Sequence, residues 1–119
     1  MTRMGSMKTP DAVKALAALA HDTRLAIFRM LVQAGSDGLS VGVIGEKLKL
    51  PGATLSFHLK ELAHASMVES RQEGRFIFYS ANYPHMNALL AYLTENCCQG
   101  DDCAPECAPT ASRRKRVTA

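Results

Sequence analysis

The chain has 119 residues, of which 47% are apolar, and its net charge is +3. This length allows one domain with one modest core, and the apolar content excludes an intrinsically disordered chain. No run of residues approaches the about 20 apolar positions that a membrane-spanning helix needs, and Met1–Met7 lack the features of a secretory signal. We therefore expect a cytoplasmic protein that has no membrane partner.

The positive charge is concentrated near the end of the chain. Residues 113–116 are all basic and supply four positive charges, so residues 1–112 carry a net charge of −1. A nucleic-acid-binding surface would therefore be a local patch, because the body of the protein is almost neutral. We interpret the basic segment as a flexible tail and assign it no specific role.

Two helices are predicted between Thr9 and Ala34, because apolar residues recur there at helical spacing. The stripe of the first helix consists of Val13, Leu16, Ala17 and Ala20. Asp22 is the predicted N-terminal cap of the second helix. The stripe of the second helix consists of Leu25, Phe28, Leu31 and Val32.

A pair of helices joined by a tight turn follows. Ser40 is the predicted cap of a short third helix. The apolar residues of this helix are Val43, Ile44 and Leu48. Leu50–Gly52 then form a tight connection into a fourth helix, predicted over Ala53–Ala65. Two helices joined in this way are typical of a helix-turn-helix.

Beyond Ser66 the apolar period changes from that of a helix to that of a strand. Met67–Arg71 and Arg75–Ala81 are the two predicted strands of a β-hairpin, joined at Gln72–Gly74. A last helix begins at Asn82–Pro84 and is predicted to stop at Gly100. Its stripe consists of Met86, Leu89, Leu90, Leu93 and Cys97.

This order of elements predicts a mainly α (α+β) winged helix-turn-helix with about five helices and a two-stranded β-hairpin wing. The predicted divisions are a disordered N-terminus (residues 1–8), a domain for DNA binding and dimerisation (9–98), and a cysteine-bearing loop with a flexible basic tail (99–119). A chain of this size has little interior left to cover its terminal helices. Their apolar stripes therefore predict a homodimer through the first and last helices.

The fourth helix has one buried and one exposed side. Leu55, Leu59 and Leu62 define the buried side at 100° per residue. The small and hydroxylated residues elsewhere suit entry into the major groove of double-stranded DNA, and an exposed phenylalanine suits contact with a thymine methyl group. The candidate DNA-binding residues are Thr54, Ser56, Phe57, His58 and Lys60 on this helix, and Arg71 and Arg75 on the wing.

Two of these assignments have an equally good alternative. His58 falls between the two sides of the helix, so a half-buried packing residue explains it as well as a phosphate contact does. Arg71 and Arg75 bracket Gly74, and they could contact the DNA backbone or minor groove. They could equally be the solvated tip of a hairpin.

The same segments carry a family resemblance. They are Ala20–Leu31 (AHDTRLAIFRML), Ala53–Leu62 (ATLSFHLKEL) and Glu73–Phe76 (EGRF). Together they closely resemble the ArsR/SmtB family of bacterial metal-responsive repressors. The resemblance implies a homodimer whose first and last helices form the interface, and operator binding that a ligand reverses. Thr54, Ser56 and His58 match the recognition-helix positions of the family, whereas Phe57 departs from the basic or polar residue of many members.

All four cysteines of the chain lie close together, as Cys97, Cys98, Cys103 and Cys107. Such a cluster can be a disulfide framework, a metal or metalloid site, a redox switch or a catalytic thiol. Disulfide frameworks are uncommon in the cytoplasm. Three sulfurs can form a trigonal pyramid around trivalent arsenic or antimony, and the fourth would allow a tetrahedral site for a divalent metal.

Charge and resemblance both favour a trivalent metalloid bound by Cys97, Cys98 and Cys103. A trivalent centre with three thiolates is neutral, whereas a divalent one is negative and is opposed by the nearby carboxylates. These carboxylates are Glu95, Asp101, Asp102 and Glu106. The cysteines also resemble those of a type of arsenite sensor in this family that has three thiols at its C-terminal end. The predicted inducer is therefore arsenic(III), or antimony(III), without an organic cofactor.

Other functions remain open. A repressor of the same fold could sense cadmium, zinc or lead through all four cysteines, with Cys107 as the fourth ligand, or could sense thiol oxidation. A winged-helix interaction module with a structural metal site is an alternative of another class. Cys107–Arg113 also matches the Cys-x5-Arg loop of low-molecular-weight phosphatases and arsenate reductases. The prolines around it do not suit that loop, so we do not expect an enzyme.

Overall fold

The computed structural model describes residues 7–100 of the chain. The predictions for residues 1–6, and for Cys103, Cys107 and the basic tail, lie outside the described residues. Residues 7–100 form five α-helices and three strands, and the order of these elements confirms the predicted winged helix-turn-helix. The elements are α1 (Thr9–Leu19), α2 (Asp22–Ala34), β1 (Leu39–Ser40), α3 (Val41–Leu48), α4 (Gly52–His64), β2 (Val68–Glu73), β3 (Phe76–Ala81) and α5 (Tyr83–Leu93).

Helix α1 packs on the rest of the protein through alanines. Ala12, Ala15 and Ala18 are buried, whereas Val13 and Leu16 on another side are 58% and 41% exposed. The predicted stripe of larger residues is therefore not the core-facing side of this helix. Within residues 7–100 of a single chain, this stripe forms an apolar surface that is exposed to water.

Helix α2 begins at Asp22, the residue that was predicted to cap it, so its cap lies one residue earlier. His21, not Asp22, is the N-cap, and its Nδ1 accepts a hydrogen bond from the backbone N–H of Thr23 at 3.1 Å. Asp22 instead occupies the first turn, where a negative charge is favourable. The helix buries Ile27, Phe28 and Leu31. An imidazole nitrogen replaces the usual oxygen acceptor here, which propensity rules do not anticipate.

The turn between α3 and α4 brings the two helices into close contact. Ser40 caps α3 as predicted, because its Oγ accepts a hydrogen bond from the N–H of Val43 at 3.3 Å. Lys49 ends the helix in the left-handed region with φ 54°. A Cβ at Gly45 would lie 3.3 Å from a methyl carbon of Leu55, so a glycine there allows the close approach of α4.

The sheet has three antiparallel strands in the order β1-β3-β2. The hairpin register runs from Val68 opposite Ala81 to Glu73 opposite Phe76, which leaves a two-residue turn at Gly74 and Arg75. Gly74 has φ 64°, as such tight turns require. The turn was predicted at Gln72–Gly74, so the strand boundaries were wrong by up to two residues, and Arg75 belongs to the turn.

The third strand, β1, was missed. It contains only two residues, and Leu39 pairs with Tyr79 in β3. A strand of two residues is too short to show an alternating pattern. The glycine before it is the available signal, because Gly38 has φ 73° and a Cβ there would lie 2.2 Å from the carbonyl oxygen of Tyr79.

Helix α5 is shorter than predicted. Asn82 caps its start by accepting a hydrogen bond from the N–H of His85, but the helix ends at Leu93 instead of continuing to Gly100. The Thr94 hydroxyl donates to the carbonyl oxygen of Leu90, and the chain then enters the left-handed region at Asn96. Leu90 and Leu93 are 52% and 54% exposed. No helix within residues 7–100 is long and apolar enough to cross a membrane.

Candidate nucleic-acid interface and thiol site

The exposed side of α4 carries the predicted DNA-binding residues. Leu55, Leu59 and Leu62 are buried as predicted, and they fix which residues of the helix face water. Thr54, Ser56 and Lys60 are exposed, and Phe57 is 56% exposed. A phenylalanine so exposed contributes little to the core, so its apolar ring is available for another molecule.

A groove of about 380 Å³ separates α4 from the wing. Ser56 and Lys60 line it from α4, and Arg75 lines it from the hairpin turn. The groove therefore brings together three of the predicted DNA-binding residues, two of which are cations. Sequence reasoning missed the other residues that line it, which are Ser40, Val41, Gly42, Leu59, Phe76, Ile77 and Tyr79. The start of α3 is among them because β1 pairs with β3.

Arg71 differs from Arg75, because it contacts its own protein. Its Nε forms an ion pair with Glu73 at 2.6 Å, and its Nη2 donates to the backbone carbonyl of Asp37 at 2.9 Å. The guanidinium also lies 5.0 Å from the ring centre of Phe78. Arg71 thus connects the wing to the loop after α2, and Arg75 is the better placed of the two for a DNA phosphate.

His58 is buried, in contrast with the other DNA-binding candidates. It is 7% exposed, and its ring centre lies 4.7 Å from that of His21. Burial lowers the pKa of His58, electrostatic interactions with His21 and Arg24 lower it further, and Glu61 opposes the shift. The structure therefore favours the interpretation of His58 as a packing residue. Its side chain is not part of the exposed surface of α4.

Arg24 makes a contact with His58 that sequence reasoning did not predict. Its Nε donates to the carbonyl oxygen of Ala18 at 2.8 Å, and its Nη1 lies 3.3 Å from Nδ1 of His58. These contacts span 6 and 34 positions of sequence. The separation of 34 positions explains why no local sequence pattern indicates the contact with His58.

The described part of the thiol cluster lies just after α5. Cys97 and Cys98 belong to a short 3-10 turn, and their Sγ atoms are 3.7 Å apart. Cys98 has φ 59°, so the two side chains do not follow the helical direction that was predicted for them. Cys97 is half-buried and Cys98 is exposed. Within residues 7–100 no three His, Cys, Asp or Glu side chains form a metal-binding group.

The fold and the exposed side of α4 define a class of protein, the winged-helix DNA-binding proteins. Comparison with known proteins agrees. A sequence model of a helix-turn-helix domain family matches residues 19–71. The transcriptional activator HlyU of Vibrio cholerae serotype O1 is 33% identical over 90 residues, which are 76% of this chain and 81% of that protein.

Further relatives identify the family within this class. The homologue of the cadmium resistance transcriptional regulatory protein CadC from Staphylococcus aureus is 31% identical over 80 residues, 67% of this chain and 64% of that one. The structure of an ArsR-like transcriptional regulator from Rhodococcus sp. RHA1 has a TM-score of 0.65 at 26% identity, and covers 76% of this chain and 82% of that one. The chain belongs to the ArsR/SmtB family of winged-helix transcriptional regulators.

Proposed function

We propose that the chain is an arsenic(III)-responsive repressor. It binds operator DNA as a homodimer and is released when arsenic(III) binds Cys97, Cys98 and Cys103. The observation that carries this proposal is the distance of 3.7 Å between the Sγ atoms of Cys97 and Cys98. Bonds of about 2.3 Å from two thiolates to one thiophilic centre are compatible with this spacing. Cys103, which lies outside the described residues, supplies the third sulfur.

Charge supports a metalloid over a divalent cation. Glu95 is exposed beside the turn, and Asp101, Asp102 and Glu106 follow in the sequence. These carboxylates oppose a negatively charged thiolate complex but tolerate the neutral complex of a trivalent centre. Antimony(III) has the same valence and preferred geometry, so it should act as a second inducer.

The homodimer is supported by the apolar surface of α1 and α5. Val13 and Leu16 on α1, and Leu90 and Leu93 on α5, are all at least 41% exposed. Exposing four large apolar side chains on two neighbouring helices is costly unless another protein surface covers them. A two-fold dimer through these helices presents two copies of α4 to successive major grooves of a near-palindromic operator.

The position of the cysteines suggests how binding could reach the DNA. The turn that holds Cys97 and Cys98 directly follows α5, a helix of the proposed dimer surface. Drawing a third sulfur toward this pair would displace the end of α5 and change the spacing of the two α4 helices. A coupling free energy of about 1–3 kcal/mol is typical of such regulators, and DNA must weaken arsenic(III) binding by the same factor.

The test is release from DNA by arsenite. The probe is a duplex that the full chain selects from random-sequence DNA, and fluorescence anisotropy measures binding. Cys98→Ser and Cys103→Ser should bind this duplex like the unmodified protein but should no longer be released. Cys107→Ser is the matched control and should still be released. If a chain shortened after Asn96 still leaves the DNA on addition of arsenite, the proposal is wrong.

A second candidate is a repressor that senses cadmium, zinc or lead through all four cysteines. It is favoured by the similarity to the CadC homologue and by the same 3.7 Å spacing, which also suits a tetrahedral metal. X-ray absorption of the loaded protein separates the two candidates. Three equal sulfur neighbours support arsenic(III), whereas four support a divalent metal and predict that Cys107→Ser impairs the response.

A further inference from the structure

Arg24 joins three helices through one side chain. It lies half-buried in the first turn of α2. Its Nε donates to the carbonyl oxygen of Ala18 at the end of α1 at 2.8 Å, and its Nη1 reaches Nδ1 of His58 in the middle of α4 at 3.3 Å. The carbonyl of Ala18 is one that α1 itself cannot satisfy, and a cation is favourable at that helix end.

The two helices that the Arg24 side chain contacts, α1 and α4, carry different surfaces. Helix α1 carries Val13 and Leu16 of the proposed dimer surface, and α4 carries the exposed residues of the DNA-binding surface. In α4, His58 stands between Phe57, which faces water, and Leu59, which is buried. A change in the contact between Arg24 and His58 would therefore alter the orientation of α4 relative to the dimer axis.

The contact requires a neutral imidazole at His58. A guanidinium group only donates hydrogen bonds, so Nδ1 of His58 must accept and its proton must reside on Nε2. His21 packs against the same ring, with ring centres 4.7 Å apart, and its own Nδ1 accepts the N–H of Thr23. His58 is the one polar or charged side chain of residues 7–100 that is buried.

We propose that Arg24 is a positioning residue for DNA binding: through neutral His58 it holds the recognition helix α4 at a defined angle to the dimerisation helix α1. It does not touch DNA in this role. Its loss changes the geometry of the two-fold pair of α4 helices. Specific binding, which needs both helices in register with the DNA, is then affected more than non-specific binding, which needs only charge.

The arrangement makes specific binding sensitive to acid. The groups that face His58 are His21 at the start of α2, Arg24 in α2, and Glu61 one turn further along α4. Protonation of His58 removes the acceptor on Nδ1 and places an imidazolium beside a guanidinium. Glu61 offsets part of this repulsion, but it cannot restore the lost hydrogen bond. The pKa of His58 is lowered from the usual value of about 6.5, so specific affinity should fall as the pH decreases below about 6.5.

The test compares conservative variants of the full chain without arsenite. The specific duplex is the one that the unmodified protein selects from random-sequence DNA, and a shuffled duplex reports non-specific binding. Arg24→Lys keeps the charge, but a single ammonium group cannot reach both partners. It should lower specific affinity at pH 7.5 by about tenfold or more, because the loss of a hydrogen bond to a charged group changes an equilibrium constant by about this factor. Its dimerisation and its non-specific affinity should stay within about twofold of normal, as expected when only geometry changes.

A second variant decides the proposal even if Arg24→Lys folds poorly. His58→Gln keeps a neutral acceptor that cannot be protonated, so its specific affinity should change less between pH 7.5 and 5.5 than that of the unmodified protein. His64→Gln, at an exposed histidine of the same helix, is the matched control and should keep the normal pH profile. A normal pH profile for His58→Gln, or normal specific affinity for a folded Arg24→Lys, would overturn the proposal.

Discussion

The hydroxyl group of Tyr92, near the end of α5, is hydrogen-bonded to the hydroxyl group of Thr9 at the start of α1. This bond joins the two helices of the proposed dimer surface within one chain. It also lies close to the turn that carries Cys97 and Cys98, because Glu95 N–H donates to the carbonyl oxygen of Tyr92. We therefore expect a displacement of that turn to reach α1 through this bond.

Tyr92→Phe removes this bond with little change in shape. The free energy of unfolding should fall by about 0.5–1.5 kcal/mol, the usual net contribution of one hydrogen bond. Chemical denaturation followed by circular dichroism measures it. Thr9→Val and the double variant complete a double-mutant cycle. Strictly additive effects of the two changes would show that the bond does not form in solution.

Leu93→Glu should dissociate the proposed dimer. The side chain is 54% exposed in one chain, so a carboxylate there is tolerated by the monomer but not by an apolar interface. Analytical ultracentrifugation should show a folded monomer, and specific DNA binding should be lost. Gln33→Glu, at an exposed residue of α2, is the control and should remain dimeric. A dimeric Leu93→Glu would place the interface elsewhere.

Arg75→Ala and Arg71→Ala should affect different properties, DNA binding and stability respectively. Arg75 lines the groove beside Lys60, so its loss should weaken DNA binding and reduce the salt dependence of the affinity by about one phosphate contact. Arg71 contacts Glu73, Asp37 and Phe78, so its loss should lower stability by about 1 kcal/mol. Anisotropy at several salt concentrations and thermal unfolding separate the two outcomes. The reverse pattern would show that Arg71 is the DNA contact.

His58 should make the fold less stable in acid. Its pKa is lowered in the folded chain, whereas the unfolded value is about 6.5. The unfolded state therefore takes up the proton first, and the free energy of unfolding decreases as the pH falls below about 6.5. His58→Gln should remove this part of the pH dependence, and His64→Gln should retain it. Parallel profiles for the unmodified protein and His58→Gln would contradict the assignment.

Gly38→Ala should disrupt the short strand β1. The added Cβ would lie 2.2 Å from the carbonyl oxygen of Tyr79, at a residue with φ 73°. The positive φ alone costs about 1–2 kcal/mol for a residue with a side chain, and the clash adds to it. At Gly42, in α3, an added Cβ meets nothing within 4 Å, so Gly42→Ala should be neutral or stabilising by up to about 1 kcal/mol. Equal thermal stability of the two variants would exclude this pairing of β1.

Local patterns predicted most of the fold. Leu55, Leu59 and Leu62 recur at helical spacing, and their burial orients α4 as expected. The hairpin was recognised from its apolar period and from Gly74. Ser40 was recognised as a cap because a hydroxyl group before an apolar run is a local signal. These features depend on neighbours in the sequence, so the sequence alone suffices for them.

The predictions that were wrong and the features that were missed depend on backbone angles or on contacts between distant parts of the sequence. The end of α5 was misplaced because the apolar stripe continues to Cys97, whereas Asn96 and Cys98 adopt left-handed backbone angles. The contact between Arg24 and His58 was missed because it joins two helices. The position of Cys103 relative to Cys97 and Cys98 stays a prediction, as do the identity of the inducer and the operator contacts.

The small alanine side chains on the inner side of α1 have a consequence for the order in which the protein opens. Each buried alanine methyl contributes only about 0.8 kcal/mol, against about 1.5–3 for a leucine side chain. With only Ala12, Ala15 and Ala18 buried, α1 packs weakly against the rest of its own chain. Its amide hydrogens should exchange with solvent before those of α4, so a helix that detaches early would be one that carries the proposed dimer surface.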